Sequence, residues 1–542
     1  MTEQEYYRIA HACDRVLRHP DATLEWIAMP WLHVLCQHPV IVSNYRHVVE
    51  ELRSSSERGA ALRTLGNVFS QARMSVHPFV AVARNVLRAV TYNRRERRGI
   101  HPRALFQFHK ADVIIVSWLL NVDHLKKTDD FYFGDLQSRL ASRGLTSLLV
   151  LRNQTSHPTR ELFGRARREG PCGRLILPDL ESLSEEVSFI RRSLRARRQL
   201  RQAKREASSW MDRRVAREAC DQAVFGVTVA NLRLHAQISS LCRRTRPAVV
   251  MTLHEGHAWE RCVWHAARTA SVPVLCVGYQ HTTLWQHSHA IKRSLGAAKG
   301  CDPDLVLTVG DVTRQILEAS QELRGVRVLT FGTHRRASSE ALADAPRFAP
   351  TFLVVPEGHE SECIYLFDFA LECARRLPDA RFIFRTHSIL PFEKIAPKLS
   401  GYHPAPGNVE VSRDRPIEDD FARAAYLLYR GSSTVIYAVL AGLKPFYVVR
   451  PGEMNIDPLY GLTGWREQVS SVEDLIARYV SRQARVGADG ADEWRRARAF
   501  CDSYVQPVRD DAVRAMLEVA PRLSGAVKDG VPRYSGAVGG GP

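Results

Sequence analysis

Hydrophobic residues recur along this chain in two patterns, which alternate from about residue 111 onward. Short runs of aliphatic and β-branched residues are followed by longer segments with apolar residues three and four positions apart. Runs without polar alternation are typical of strands buried on both faces of a parallel sheet. The pattern therefore predicts an α/β fold with strands at 113–118, 145–151, 174–177, 247–253, 272–277, 304–309, 351–355, 381–384, 409–411, 427–430 and 446–449.

The stretch from Leu427 to Arg450, LLYRGSSTVIYAVLAGLKPFYVVR, predicts a complete strand, helix and strand. Its turn carries hydroxyl groups where the helix begins, and Gly442 follows the last helical position. Free backbone amides at such a helix start attract phosphate groups. Serine and threonine are also ordinary helix caps, so phosphate binding and simple capping both stay open for Ser432, Ser433 and Thr434.

The order of the segments predicts four regions. We expect a helical extension at 1–105, a Rossmann-like domain at 106–335, a second Rossmann-like domain at 336–525 and a disordered tail at 526–542. The polar segment 335–350 is the predicted linker. Because parallel sheets bind ligands beyond the carboxyl ends of their strands, we expect the two domains to face each other across a cleft.

The amino-acid composition limits which binding partners and which cellular compartment we expect. The 542 residues carry a net charge of +18, which favours anionic partners. The 11 cysteines are odd in number and contain no C-x-x-C pair, so neither a disulfide framework nor a zinc site is indicated and a reducing compartment is favoured. The start MTEQEYYRIA lacks the order of a secretory signal, and no apolar run has the length of a membrane span. We therefore expect a cytoplasmic protein.

The segment 181–217 is strongly basic, with RRSLRARRQLRQAKRE at its centre. Its spacing predicts one long helix with arginines on nearly every face. Two interpretations stay open: a solvated arm, or peripheral contact with an anionic membrane surface through residues 187–206. Because no aromatic residues interleave the charges and no reader motif is present, we expect no nucleic-acid partner.

Several motifs within residues 110–480 resemble the GT-B glycosyltransferases of bacterial surface-polysaccharide synthesis, which are related to CDP-glycerol glycerophosphotransferases and sugar-nucleotide 2-epimerases. Tyr426–Pro445 is similar to the family's strand, glycine, paired hydroxyls, helix and alanine-x-glycine-x-proline, although Ala441 and Gly442 are adjacent here. Arg385-Thr386-His387 resembles the family's arginine-x-histidine strand exit, and Gln280-His281 resembles its glutamine-histidine turn. Tyr437 stands where many relatives have a ribose-binding glutamate.

The resemblance implies a nucleotide-sugar donor on the second domain, without a cofactor or a metal. Arg385 would neutralise the donor pyrophosphate, and His387 would orient it. Glu255 is the first candidate for the base that deprotonates the acceptor hydroxyl, and His281 is the second. The remaining expected substrate-binding residues are Gln280, Glu357, Gly358, Arg430, Gly431, Ser432, Ser433, Thr434 and Tyr437.

Three functions stay open. The main expectation is transfer of a sugar from a nucleotide donor to a surface polysaccharide or a lipid-linked glycan. The alternatives are a sugar-nucleotide 2-epimerase and a non-catalytic nucleotide-sugar-binding protein of glycan assembly. A metal site is disfavoured because His254-Glu255-Gly256-His257 is one residue shorter than H-E-x-x-H. The chain also lacks P-loop, G-x-G-x-x-G and G-x-S-x-G motifs, which argues against a triphosphatase, a dehydrogenase and a serine hydrolase.

Overall fold

A computed structural model describes most of the chain. The described residues are 1–33, 38–56, 80–91, 108, 110–166, 170–270, 273–323, 325–335, 349–387, 390–413, 415–483 and 489–520. Most of the predicted linker and the whole predicted tail lie outside these ranges.

The first domain is built on a seven-stranded sheet with the order β3-β2-β1-β4-β5-β6-β7. All neighbouring strands are parallel. Its central strands are almost entirely buried because helices cover both faces, as the unbroken apolar runs predict. The strands are β1 Val113–Leu119, β2 Ser147–Asn153, β3 Cys172–Ile176, β4 Val249–Leu253, β5 Leu275–Gln280, β6 Leu305–Thr308 and β7 Arg327–Thr330.

The second domain is built on a six-stranded parallel sheet with the order β10-β9-β8-β11-β12-β13. The predicted fold class, two α/β domains with parallel sheets, is thus confirmed. The strands are β8 Thr351–Val355, β9 Arg381–Phe384, β10 Val409–Val411, β11 Tyr426–Tyr429, β12 Lys444–Val448 and β13 Glu467–Val469.

Helices connect and cover the strands. Within the described residues, none has both the length and the apolar character to cross a bilayer. The α-helices are Glu3–Arg18, Leu24–Ile27, His38–Ser56, 80–91, Leu136–Ala141, Thr159–Ala166, Leu183–Glu206, Trp210–Gln222, Gly226–Thr245, Ala258–Ala270, His289–Lys292, Asp311–Glu318, Glu360–Arg376, Phe392–Ile395, Ile417–Arg423, Thr434–Leu440, Val472–Gln483, Asp489–Tyr504 and Asp510–Val519.

Two predicted helices differ from the observed ones because polar side chains start or stop them. The basic segment predicted as one helix is two, since Ser209 accepts a hydrogen bond from the amide of Asp212 and begins a second helix there. The helix predicted at 131–143 begins only at Leu136. The Asp130 carboxylate accepts hydrogen bonds from the amides of Tyr132 and Phe133, and this holds the preceding residues in a turn.

The end of the described chain crosses back to the first domain, which the predicted boundary at 525 does not anticipate. The amide of Gln506 donates to the carbonyl of Val309, and its carbonyl accepts from Thr333. The helix Asp510–Val519 then buries Val513 and Met516 in the core of the first sheet. This returning segment therefore connects the second domain to the first through backbone hydrogen bonds and buried apolar side chains.

Candidate functional site

Four neighbouring strands of the first sheet end at one edge, and their exits carry polar and aromatic side chains. Trp118 and Arg152 are paired in register at the ends of β1 and β2. Glu255 lies just beyond β4, and Gln280 ends β5 with His281 after it. In parallel sheets, ligands bind just beyond the carboxyl ends of the strands, which is where these side chains lie.

The Glu255 carboxylate lies between two imidazoles. Its Oε2 is 2.9 Å from Nε2 of His257, and its Oε1 is 2.8 Å from Nε2 of His281. The loop is held by the buried carboxylate of Glu260, which accepts the amides of Glu255, Gly256 and His257. Gly256 is required there because its φ is +89° and a Cβ would lie 2.7 Å from Ala290. The predicted base candidates therefore lie side by side.

The two neighbouring imidazoles favour the ionised form of the Glu255 carboxylate. Burial favours the protonated acid, but the charge of His281 and the hydrogen bond from His257 outweigh burial, so the pKa of Glu255 ends well below its usual range. Burial lowers the pKa of His257, but the hydrogen bond to Glu255 and the charges of Glu260 and Glu255 together more than reverse this, so the pKa of His257 ends raised. A carboxylate stabilised in this way is a poor proton acceptor but a good orienting partner for an imidazole.

His281 is the second of the predicted base candidates. Its side chain is 8% exposed, and neither ring nitrogen makes an aligned hydrogen bond with another described residue. The ring of Tyr132 packs edge-on against it at 4.6 Å between centroids. Burial, followed by the charge of Glu255, raises the pKa of Tyr132 to about 12, so this phenol stays neutral.

Arg335 connects this cluster to the second domain. Its guanidinium lies over the rings of Phe131 and Tyr132, at 3.9 Å and 4.9 Å from their centroids. Its carbonyl accepts a 2.6 Å hydrogen bond from the hydroxyl of Tyr437. Tyr437 lies on the helix Thr434–Leu440, which follows the predicted phosphate turn. Tyr132 and Arg335 therefore join His281, beyond β5, to the helix that follows β11.

In the second domain, the exits of β8, β9 and β11 bring four of the predicted residues together. A Cβ on Gly358 would lie 2.9 Å from Cγ of His387. A Cβ on Gly431 would lie 1.6 Å from Oε1 of Glu357. Both glycines allow a neighbouring polar side chain to lie directly against the backbone. The predicted grouping of Glu357, Gly358, His387 and Gly431 is thus present as a geometric cluster.

Glu357 has unusual electrostatics for a residue beside a predicted phosphate site. Burial and the neighbouring charge of Glu362 raise its pKa to about 8, against a smaller opposing effect of Arg430. The carboxyl group is therefore protonated at neutral pH. In that form it can donate a hydrogen bond to an anionic ligand instead of repelling it.

Arg430 has a structural role that differs from the predicted ligand contact. It is 1% exposed, and its donors reach Glu362 at 2.6 Å, Glu453 at 2.9 Å and the carbonyl of Val448 at 2.9 Å. Because this guanidinium is buried and already paired with two carboxylates, it is not accessible to a substrate in this arrangement. Arg430 instead connects β11 to the helix Glu360–Arg376 and to the loop after β12.

Arg385 is partly exposed but already paired. Its guanidinium donates to the buried carboxylate of Asp420 at 2.6 Å, to Ser412 at 3.3 Å and to the carbonyl of Arg415 at 3.1 Å. The predicted pyrophosphate contact would have to share this cation with Asp420. Burial lowers the pKa of His387, which keeps its imidazole neutral.

The predicted phosphate turn begins a helix of seven residues. Ser433 is exposed, and its side chain does not cap the helix. The amide of Thr434 makes a long 3.4 Å hydrogen bond to Oγ of Ser432. The simple capping interpretation of these hydroxyls therefore accounts for Ser432 but not for Ser433.

Three further residues of the first-domain edge are absent from the predicted site residues. His257 lies in the motif His254-Glu255-Gly256-His257, and its partner is Glu255. Tyr132 lies inside the helix predicted at 131–143. Arg152 directly follows the apolar run of β2, and a charged residue at a buried strand's exit is the signal that indicates it.

Histidines near the site do not pair as metal ligands. His254 lies against Glu260, with 3.3 Å between Nδ1 and Oε2, whereas His257 contacts Glu255. Elsewhere in the described chain, Asp14, His289 and Glu322 each offer one ligand atom within 4.8 Å of the others. Arg293 and His289 already contact the Asp14 carboxylate, and the Arg293 cation would repel a metal ion.

Comparisons with known proteins give remote fold likenesses. The chain is similar to a kitacinnamycin glycosyltransferase at 14% identity, covering 75% of this chain and 99% of that one with a TM-score of 0.44. It is similar to the calicheamicin glycosyltransferase at 16% identity, covering 76% and 100% with a TM-score of 0.43. A UDP-GlcNAc 2-epimerase from Neisseria meningitidis matches at 10% identity, covering 75% and 98% with a TM-score of 0.41. No protein-family model and no curated protein matches the chain. Likenesses this remote assign no activity.

Proposed function

We propose that this protein is a GT-B-type glycosyltransferase. It moves a sugar from a nucleotide donor on the second domain to an acceptor hydroxyl on the first, in the assembly of a surface polysaccharide or a lipid-linked glycan. The observation that carries this proposal is the Glu255–His281 contact, which is joined through Tyr132 and Arg335 to Tyr437 beside the predicted donor turn.

In this proposal His281 is the general base and Glu255 is its orienting partner, which reverses the order expected from sequence. Sugar transfer to a hydroxyl requires removal of that hydroxyl's proton as the new bond forms. A neutral imidazole accepts this proton, and the adjacent carboxylate stabilises the imidazolium that results. The lowered pKa of Glu255 fits the second role better than the first.

On the donor side, the diphosphate leaving group would be held by Ser433, the amides of the turn and His387. Glu357, protonated at neutral pH, would donate to a phosphate or sugar oxygen. Arg385 would contribute positive charge only in part, because Asp420 shares it. No step of this arrangement calls for a metal, since the leaving-group charge is offset by fixed donors.

The basic helix supports a peripheral membrane location for the enzyme. Its buried side packs on the helix Trp210–Gln222, and two of its arginines pair with Glu25 and Asp221. Five further arginines are exposed and make no ion pair with a described residue: Arg191, Arg195, Arg198, Arg201 and Arg205. Their spacing of three and four places them along one face, where they would attract acidic lipid headgroups.

A screen of nucleotides and nucleotide sugars tests the proposed function. A ligand that binds only the folded protein raises its melting temperature, so one nucleotide sugar is expected to do so. Incubation of that donor with a glycolipid and polysaccharide extract is then expected to release free nucleotide and to label the acceptor fraction. An isomerised nucleotide sugar formed without acceptor would assign the 2-epimerase function instead. Binding without any turnover would assign the non-catalytic function.

A further inference from the structure

Arg152 lies at the carboxyl end of β2 on a platform of two tryptophans. Its guanidinium carbon is 4.4 Å from the ring centroid of Trp118 and 5.0 Å from that of Trp259. The two indoles pack edge to face, with centroids 4.8 Å apart. Trp118 is fixed beside Arg152 by the strand register, and Trp259 comes from the first turn of the helix Ala258–Ala270. The platform therefore sets the position of the cation.

This cation has no acidic partner among the residues that the structure describes. No ion pair or hydrogen bond joins the Arg152 guanidinium to another described residue, and its Nη1 is buried without a hydrogen-bond partner. Burial lowers the pKa of Arg152 to about 10, which still leaves it charged at neutral pH. Other buried arginines differ, since Arg233 holds Glu186 and Arg430 holds Glu362. Contact with the indoles offsets only part of the cost of burying a charge.

The same sheet edge holds further buried polar atoms without a hydrogen-bond partner in the described chain. Such groups are costly unless a ligand or water satisfies them. These atoms are Oγ1 of Thr252, Nε2 of His254, Nε1 of Trp259, Oε1 of Gln280 and Nδ1 of His281.

Arg152 also acts through its charge on the loop that carries Glu255. Its charge opposes protonation of His257, the imidazole that donates to Glu255. The Glu260 carboxylate reaches Arg152 only through its field, because that carboxylate is already held by the backbone amides of Glu255, Gly256 and His257. As a residue Arg152 is partly exposed, so a ligand at the sheet edge can reach the rest of the guanidinium.

We propose that Arg152 binds an oxyanion of the acceptor substrate, a phosphate or a carboxylate, and so positions the acceptor hydroxyl against His281. The planar guanidinium matches either group with paired hydrogen bonds. The inference rests on the proposed function and adds the acceptor's chemical class: it is anionic close to the hydroxyl that reacts. A phosphate would come from a lipid-linked acceptor, and a carboxylate from an acidic sugar.

Binding measured in the absence of any nucleotide sugar tests this inference separately from the proposed function. Intrinsic tryptophan fluorescence is the readout, since Trp118 and Trp259 are two of the nine tryptophans that contribute to it. The probes are farnesyl phosphate and glucuronate, with farnesol and glucose as matched neutral compounds. The full chain is compared with Arg152→Gln, with Arg152→Lys as a milder second variant, and with Arg314→Gln as a control at the remote helix Asp311–Glu318. Melting temperatures check that each variant is folded.

The wild type and the Arg314→Gln control are expected to bind one charged probe and neither neutral compound. Arg152→Gln is expected to weaken that binding by about 10- to 100-fold, the usual effect of losing a hydrogen bond to a charged group. Arg152→Lys keeps the charge and loses the paired geometry, so an intermediate affinity is expected. Binding of farnesyl phosphate indicates a lipid phosphate, and binding of glucuronate indicates an acidic sugar. Equal affinities in wild type and both variants, or no binding of either charged probe, would overturn the inference.

Discussion

At the residue scale, the structure turns a list of candidate side chains into groups with different roles. Glu255 and His281 form a close pair in which the charge of His281 lowers the pKa of Glu255. Arg430 shows the opposite case. It stands at a strand exit, where sequence reasoning expects ligand contacts, but its partners Glu362 and Glu453 are 68 and 23 residues away in sequence. Pairing over such distances leaves no local pattern to recognise, so its structural role could not be predicted.

The Glu255–His257 contact predicts a pH-dependent effect on stability. The lowered pKa of Glu255 contributes stability above about pH 4.5, its unfolded range, and the raised pKa of His257 contributes stability below about pH 6.5. Both contributions are present between these values, and that of His257 is lost as the pH rises through its folded pKa. Glu255→Gln is therefore expected to lower the melting temperature more at pH 5.5 than at pH 8.5. An equal or larger drop at pH 8.5 would contradict this account.

Substitution of Glu357 is expected to raise the melting temperature, whereas substitution of Glu255 is expected to lower it. The pKa of Glu357 is raised to about 8, so its ionisation opposes folding increasingly from about pH 4.5 up to pH 8. Glu357→Gln removes that cost and is expected to raise the melting temperature at pH 8.5 by at least ~2 °C, equivalent to about 1 kcal/mol. The exposed Glu360, which pairs with Lys398, provides the control Glu360→Gln. No gain at pH 8.5, or the same gain at pH 5, would rule out a buried protonated carboxyl.

At the element scale, strands were easier to predict than the segments around them. The strand Arg381–Phe384 has the bounds that its apolar run predicts. The missed strands β7 and β13 are edge strands with exposed or charged positions, so they lack the continuous apolar signal of buried strands. The long basic helix was recognised by its spacing, but burial of one face by residues such as Phe189 and Leu200 depends on packing partners distant in sequence.

The exposed arginine face of the helix Leu183–Glu206 predicts selective binding to acidic membranes. The triple variant Arg195→Glu, Arg198→Glu and Arg201→Glu is expected to reduce partitioning onto phosphatidylserine vesicles by at least ~100-fold, since each basic residue contributes about 1 kcal/mol. The control triple variant reverses exposed, ion-paired arginines of the second domain: Arg375, Arg376 and Arg413. Vesicle flotation measures both. Equal flotation of the two triple variants, or equal wild-type binding to neutral vesicles, would dismiss the membrane role.

At the scale of the whole molecule, the two domains are coupled by the return of the chain near residues 503–508. A Cβ on Gly310 would lie 2.3 Å from the carbonyl oxygen of Tyr504, and one on Gly332 would lie 2.3 Å from that of Pro507. The two domains could be predicted from alternating patterns, because each strand and helix carries its own signal. The crossing could not, since it depends on close backbone approach at glycines far apart in sequence.

Gly332 offers a direct test of this crossing. It combines a φ of +98° with the close approach to Pro507, so Gly332→Ala is expected to destabilise the protein by about 2–4 kcal/mol. The control Gly325→Ala has a φ of +80° but no atom within 4 Å of the added Cβ, so only backbone strain of about 1 kcal/mol is expected. Melting temperatures compare the two variants. A Gly332→Ala protein as stable as Gly325→Ala would show that the crossing does not constrain the backbone.

The most direct measurement of the central claim is the rate of sugar transfer by His281→Ala. Wild type, His281→Ala and His265→Ala are compared with the donor found by thermal shift and a glycolipid and polysaccharide extract. His265 is a matched control because its ring pairs with His235 on the same domain, away from Glu255. Loss of the base is expected to lower kcat by about 100- to 10,000-fold in His281→Ala alone, with the donor-induced melting shift unchanged. Transfer by His281→Ala at the wild-type rate would contradict the account.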